Sequence, residues 1–329
     1  MKLQILIPHY KETVEEIKPL LDSIAIQQSI DFKEIGVVIC HDGDDIPYFF
    51  WGHNFPDIYP FVIEQISIPH KGVSAARNAC LDYATADYVM FCDADDMFLN
   101  ACGLYIIFRE MERGFNSLLS CFVEETRHPK TKEIIYTNHE MDSTFVHGKV
   151  HRRQYLLDNH IRWNDELTIH EDSYFNILCQ NLTDKVKYCP TPFYLWKWRD
   201  NSVCRHDPKY ILKTYRNMLD SNDALIAEFL SRGMMDKTMF YTVFMIFDAY
   251  YTMNKPDWIN QENQIYRQKT ERRFKDYFIK HEDLWKAMPV TDKMQISNQV
   301  RSRSITEGMQ MEAVTIDGWL KHIKELNNG

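Results

Sequence analysis

Between Lys2 and Asp93, short apolar runs rich in β-branched residues alternate with segments of helical spacing. That alternation leaves few folds open. Residues 2–8 (KLQILIP) read as a strand. Residues 11–28 (KETVEEIKPLLDSIAIQQ) read as a helix, with acids in the first turns, where the helix dipole favours negative charge. Residues 34–40 (EIGVVIC) form a strand running into His41-Asp42-Gly43, and residues 61–69 form another. Residues 72–85 read as a helix and 87–93 as the next strand. This order predicts a doubly wound, Rossmann-like α/β layer, which takes its ligands beyond the carboxyl ends of the strands. Asp42 and the run Asp93-Ala94-Asp95-Asp96 both fall at such ends.

After Asp96 the pattern loosens. Helices are predicted over 103–114, 151–161 and 170–182, a strand over 116–126, and an aromatic extended stretch over 187–199. From about Pro208 onward the periodicity is helical. We therefore expect a catalytic α/β domain over 1–206 and a helical C-terminal region over 207–329, which completes a core, binds the acceptor or makes a homodimer. The most apolar helix, 239–253 (MFYTVFMIFDAYYTM), is too short to span a bilayer and contains Asp248, so a buried helix is expected.

The formal charge is −9, and residues 1–205 hold 20 Lys/Arg against 30 Asp/Glu. That balance argues against a nucleic-acid binder, which needs a basic surface. The eight cysteines (40, 80, 92, 102, 121, 179, 189 and 204) include no C-x-x-C pair, and several lie inside apolar runs. Buried free thiols and a reducing, cytoplasmic compartment are expected. Met1-Lys2 leads straight into the first strand, so no signal peptide is read.

Three carboxylates within four positions, Asp93, Asp95 and Asp96, follow an apolar strand. A single Asp there would be a turn former, but three repel one another unless a cation joins them. Hard oxygen ligands suit Mn²⁺ or Mg²⁺, which bind through one or two carboxylates plus substrate phosphates.

Four stretches in order, LQILIPHYK, VVICHDGDD, KGVSAARNACLDYATADYVMFCDADD and HEDSYFN, resemble the family 2 glycosyltransferases. The resemblance covers roughly residues 1–205 and is looser over 117–169. It implies a GT-A fold and an inverting, metal-dependent transfer from a nucleoside-diphosphate sugar, with a UDP-sugar the expected donor. In that family a D-x-D motif carries the donor diphosphate through the metal. Asp93 and Asp95 match it, with Asp95 the direct ligand, Asp93 nearer the ribose and Asp96 behind them. Asp42 matches the acid that contacts the nucleobase, and Pro8 and Tyr10 match residues that cradle the base. Arg77 matches the basic residue near the nucleotide.

Inverting transfer needs a carboxylate to take the acceptor's proton. The resemblance assigns this to Asp172, with Glu171 the alternate. HED recurs at 281–283, in a charge-rich helical tract where a solvated face is expected. In WKWRDNSVCRH, the resemblance brings Lys197, Arg199, Ser202 and His206 toward the phosphates, with His206 at the metal. The plainer reading, which we favour for each residue alone, leaves those cations solvated beside an edge strand. VHGKVHRR (146–153) is read as surface, near the acceptor at most. The sequence departs from the family pattern where His9 and Lys11 flank Tyr10, and at His41-Asp42-Gly43-Asp44, so base and sugar preference is not carried over.

The acceptor expected is a glycan or wall polymer. One alternative is a phage-type transferase acting on modified bases in DNA, against which the acidic balance weighs. A third reading is a non-catalytic nucleotide-sugar binder, against which the intact Asp95 and Asp172 weigh.

Overall fold

Strand β1 (Leu3–His9) is buried almost end to end. A computed structural model of the protein describes residues 1–43, 58–128, 130–200, 202, 207, 209–306 and 315–326. Helix α1 (Val14–Ala25) follows. The Glu16 carboxylate accepts the Thr13 backbone N–H at 2.7 Å, satisfying a donor that a helix start leaves open. It buries Ile17, Leu20, Leu21 and Ile24 against the sheet. Strand β2 (Ile35–Asp42) is buried along its whole length, as an interior strand covered on both faces must be. Strand β3 (Val62–Ile68), helix α2 (Val73–Tyr83) and strand β4 (Tyr88–Phe91) complete the parallel half of the sheet. These strands lie parallel in the order β3-β2-β1-β4. Small residues on α2, Ala75, Ala76 and Cys80, let it come close: the Cys80 Sγ lies 3.7 Å from the Val38 carbonyl.

The sheet then turns mixed. Strand β5 (Met97–Phe98) leads to helix α3 (Gly103–Glu112). Strands β6 (Ser117–Arg127), β7 (Ile134–His139) and β8 (Val150–Arg152) follow, then helices α4 (Arg153–Asp158) and α5 (Glu171–Asn181) and strand β9 (Val186–Trp196). The strand order is β3-β2-β1-β4-β8-β6-β9-β5, with β7 paired to β6. Strand β8 is antiparallel to both β4 and β6 and joins the two halves.

The α/β reading of 2–93 agrees with this layer. The segment 146–153 does not follow its expectation. It forms the approach to an interior strand, and His147, Lys149 and His151 are 3%, 1% and 1% exposed. The helix predicted over 151–161 is shorter, because backbone pairing of Val150–Arg152 with β4 and β6 outweighs local helical spacing. Gly148 allows the turn: its φ of +67° is left-handed, and a Cβ there would lie 2.8 Å from the Ser120 Oγ. The stretch 187–196 is not an edge strand, since β9 lies between β6 and β5. Cys40, Cys80, Cys92, Cys121, Cys179 and Cys189 are buried free thiols, and Cys102 is exposed. Cys204 and His206 lie outside the described residues.

By internal packing the chain divides into two compact units, Met1–Ser202 and Val203–Gly329. The second is helical: α6 (Tyr210–Ser231), α7 (Met235–Met253), α8 (Pro256–Ile259), α9 (Gln264–Ala287), α10 (Val290–Thr306) and α11 (Ile316–Glu325). Leu219, Ile246, Phe274 and Trp319 belong to its own core. Helix α7 is buried as expected, and its Asp248 accepts the Tyr215 hydroxyl at 2.6 Å. The second HED is not wholly on a solvated face: His281 is buried with its Nε2 2.5 Å from Asp223, while Asp283 is exposed. No helix among the described residues is long and apolar enough to cross a membrane.

Candidate active site

The carboxyl ends of β1, β2 and β4 gather the acidic residues, and α2 supplies the charge that joins them. Arg77 is 3% exposed. Its guanidinium donates to Asp93 Oδ1 at 2.8 Å and to Glu171 Oε1 at 3.0 Å. One planar fork thus ties the acidic turn after β4 to the first turn of α5. Arg77 also lies 4.4 Å over the Trp163 ring, which stacks on Phe175 of α5 at 4.1 Å. Asn78 fixes Trp163 from both sides, donating to its carbonyl and accepting its N–H. The adjacent Arg and Asn therefore seat one tryptophan and, through it, α5. Burial alone would lower the Arg77 pKa, but Asp93 and Glu171 outweigh it and hold the guanidinium charged.

Each member of the acidic turn has a different environment. For Asp93, burial works upward, but the Arg77 guanidinium, with Arg199, outweighs it and holds the carboxyl below its ordinary range. Asp95 is raised by burial and by Asp93, against the pull of Arg199. Arg199 donates to Asp95 Oδ2 at 2.8 Å and approaches Glu12 and Glu16 at 3.7 and 3.8 Å. Asp96 is fully buried and raised well above its ordinary value by burial, Asp95 and Asp93. It accepts the Tyr194 hydroxyl at 2.6 Å and the Lys197 N–H at 3.0 Å. Both partners come from the end of β9, where pairing of Met97 with Leu195 and Phe98 with Tyr194 sets the register.

Asp172, next to Glu171 on α5, accepts the Ser173 N–H at 2.8 Å. Burial, then repulsion from Glu171, raises its carboxyl to about 7, against Arg77 and Lys149. The residue before α5, His170, has a left-handed φ of +65°, a strained conformation of the kind that gathers at functional sites. Lys149, buried, donates to Asp142 at 3.0 Å and faces the same acids.

Other expected site residues take these places. Asp42 is 4% exposed and accepts the backbone N–H groups of Lys71 and Gly72 at 2.7 and 2.9 Å, with His70 Nδ1 at 2.9 Å. Gly72 has a φ of +95°, which lets both N–H groups turn toward that carboxylate. Tyr10 is exposed and stacks on His70 at 4.3 Å, at the same strand ends. Pro8 is half-buried, in register with Cys40. Lys197 meets Asp96 through its backbone N–H, and the Ser202 N–H donates to the Arg199 carbonyl at 3.2 Å. The structure thus brings Asp93, Asp95, Asp96, Arg77, Glu171 and Arg199 together through direct contacts. Arg199 is paired with acids rather than free in solvent.

Sequence reasoning missed Tyr194 and His147. His147 Nδ1 lies 3.5 Å from Asp96 Oδ2. Asp93, Asp96 and His147 each offer a ligand atom, all within 4.8 Å of one another. His147 stacks on Trp196 and Tyr194 at 4.8 and 5.2 Å. Burial holds its imidazole neutral, with a pKa of about 3. Two carboxylates and a neutral imidazole fit a divalent ion. A clue was present in the sequence, where VHGKV sets histidine and lysine among apolar residues around one glycine.

Residues 4–165 match the family model described as Glycosyl transferase family 2. Among solved structures, S. aureus TarS 1-349 aligns at a TM-score of 0.62 and 16% identity, over 97% of this chain and 95% of that one. The same fragment in complex with UDP-GlcNAc aligns at 0.59 and 16%, with the same coverage. The mannosyltransferase PcManGT from Pyrobaculum calidifontis, in complex with GDP-Man and Mn²⁺, aligns at 0.52 and 11%, over 98% of this chain and 84% of that one. At these identities the likeness is one of fold. The search of curated protein sequences found no match. The family model, the four motifs in order and the shared fold agree: the chain carries a glycosyltransferase family 2 domain over residues 4–165.

Proposed function

We propose that the protein transfers a sugar, with inversion, from a nucleoside-diphosphate sugar, by preference a UDP-sugar, to a hydroxyl of a glycan or wall polymer. The observation that carries this reading is the Arg77 fork, which holds the acidic turn and the Glu171-Asp172 pair in one site although 78 residues separate Asp93 from Glu171. TarS with UDP-GlcNAc and PcManGT with GDP-Man and Mn²⁺ share the fold and support the donor class.

In this reading Asp172 accepts the acceptor's proton as its oxygen attacks the anomeric carbon. A base with a pKa of about 7 is half deprotonated at neutral pH and strong enough to accept that proton. Glu171, committed to Arg77, is the poorer candidate and serves to raise Asp172. Tyr10, Pro8 and the Asp42-held loop line the base end of the donor site, and Arg199 leaves Asp95 to meet the diphosphate. The acidic turn, with Asp93 and its neighbours, would hold a divalent ion. When bound, that ion neutralises charge on the departing nucleoside diphosphate.

The test is donor hydrolysis by purified protein across a panel of nucleotide sugars, with Mn²⁺ and then with EDTA. Slow release of nucleoside diphosphate from one donor, abolished by EDTA and in Asp95→Ala, is the expected result. No release and no nucleotide binding from any donor would overturn the reading.

A further inference from the structure

Strand β7 (Ile134–His139) is an open edge: among the described strands it pairs with β6 alone. Its residues from Ile134 to Asn138 are exposed, with Ile134, Ile135 and Tyr136 at 50%, 43% and 60%. Such an edge normally carries a charge or a proline that blocks pairing with another strand. Ile134–Asn138 contains no acid, lysine, arginine or proline, and its isoleucines, tyrosine and threonine favour extended pairing. The edge is also held in place at both ends. Lys132 has a left-handed φ of +64°, its N–H donates to the His128 carbonyl at 2.9 Å, and the His128 N–H donates to the Glu133 carbonyl at 2.8 Å, which makes a bulge at the strand's entry. At its exit the Met141 N–H donates to the Tyr188 hydroxyl of β9 at 2.9 Å.

Backbone alternation fixes which groups stay open. Pairs along an antiparallel ladder are hydrogen-bonded in alternation, and His128 is bonded to Glu133. Thr126–Ile135, Glu124–Thr137 and Phe122–His139 are therefore the bonded pairs of β6 and β7. The backbone N–H and C=O groups of Ile134, Tyr136 and Asn138 then point away from β6. Two copies set edge to edge about a two-fold axis satisfy all of these groups when Tyr136 lies opposite its own copy and Ile134 opposite Asn138. The same register sets Lys132, at the strand's entry, against Glu140 of the second copy, just past its exit, and both are exposed. Unlike charges thus meet at each end, and the strand is complementary to itself.

We propose that strand β7 pairs antiparallel with strand β7 of a second copy of this chain, continuing the sheet across a two-fold axis at Tyr136. A strand of another protein would also satisfy the open backbone groups, but a second copy brings the matching Lys132 and Glu140 with it. The contact is one strand wide, so the dimer is weak and depends on concentration. It does not depend on the transfer reaction proposed above.

The experiment is sedimentation velocity of the full chain over a concentration series reaching about 0.1 mM, with the fold of each variant checked by circular dichroism. We expect a monomer–dimer equilibrium. Tyr136→Lys and Tyr136→Glu each set like charges face to face at the axis and weaken dimerisation at least about tenfold, whereas an equal mixture of the two variants dimerises again. Lys132→Glu and Glu140→Lys each weaken it, and the double variant restores it. A cross-link reads the register directly, in a Cys102→Ser background that removes an exposed native thiol. Tyr136→Cys forms a linked dimer under mild oxidation, because Cα atoms paired at the axis lie about 5.5 Å apart, within reach of a disulfide. Ile134→Cys does not, because its own copy lies four residues along the strand, about 13 Å away. A chain that stays monomeric throughout overturns the proposal. So does a dimer that Tyr136→Lys leaves intact, which would place the contact on another surface, such as the helices after Val203. A mixture of the two charged variants that stays monomeric, or a cross-link at Ile134→Cys and none at Tyr136→Cys, would overturn it as well.

Discussion

Asp172 carries its charge in a place that resists it. Burial and Glu171 raise its pKa to about 7, from about 3.9 in an unfolded chain. A base must be deprotonated to act, so kcat/KM should rise with pH and level off above about pH 7. A profile of donor turnover from pH 5 to pH 9 checks this, and a flat profile would remove Asp172 from the role. The same shift has a cost for the fold. With the folded pKa above the unfolded one, stability is fully present below about pH 3.9, falls as pH rises to about 7, and is constant above. Asp172→Asn removes that penalty. We expect an inactive but more stable protein at pH 8, by on the order of 1 kcal/mol, or about 2–4 °C in Tm. Arg77 works in the opposite sense. Arg77→Ala strands Asp93 and Glu171, and loss of one member of a buried charge group costs about 3–5 kcal/mol. Arg77→Lys keeps the charge but replaces a planar fork with a point charge, so turnover should fall more than stability. Chemical denaturation and donor hydrolysis on both variants would show whether the fork or only the charge matters.

At the scale of elements, the sequence was most legible where one element type repeats. The run from β1 to β4 alternates strands and helices in turn, and two candidate site residues lie at strand ends, Asp42 closing β2 and Asp93 two residues past β4. Beyond Asp96 the elements are specified by partners far along the chain. Strand β8 has three residues and forms because β4 and β6 flank it, so its own sequence reads as the start of a helix. The stretch just before it was read as surface, which hid the burial of His147 beside Asp96. Strand β5 has two residues and no pattern of its own, yet its pairing with β9 delivers Tyr194 to Asp96. The Arg77–Glu171 contact spans 94 residues and was beyond any local pattern; the resemblance alone put those residues in one site. The turn at Gly148 tests how tightly this part is built. Gly148→Ala adds a left-handed strain and a contact with Ser120, so a loss of about 1–3 kcal/mol is expected on denaturant unfolding.

At the scale of the molecule, the charged groups of the two compact units do different things. In Met1–Ser202 the buried acids meet at a site, whereas in Val203–Gly329 they stabilise helices. Asp223 illustrates the second use. Burial would raise its carboxyl, but His281 and Arg273 outweigh it and hold it at about 2. A depressed pKa gives stability that is present above about pH 3.9 and lost as pH falls toward 2. Asp223→Asn should therefore unfold about 2 kcal/mol more easily at neutral pH, and the difference should vanish near pH 2. Denaturation of the full chain at pH 7 and at low pH checks it. The central claim concerns the first unit: the acidic turn and the Glu171-Asp172 pair form one active site for sugar transfer. Its most direct test is to measure UDP affinity and donor turnover together in Asp172→Asn. The account predicts UDP binding within about threefold of the unaltered protein and turnover reduced by about 10²–10⁴. Turnover that survives the substitution would contradict it.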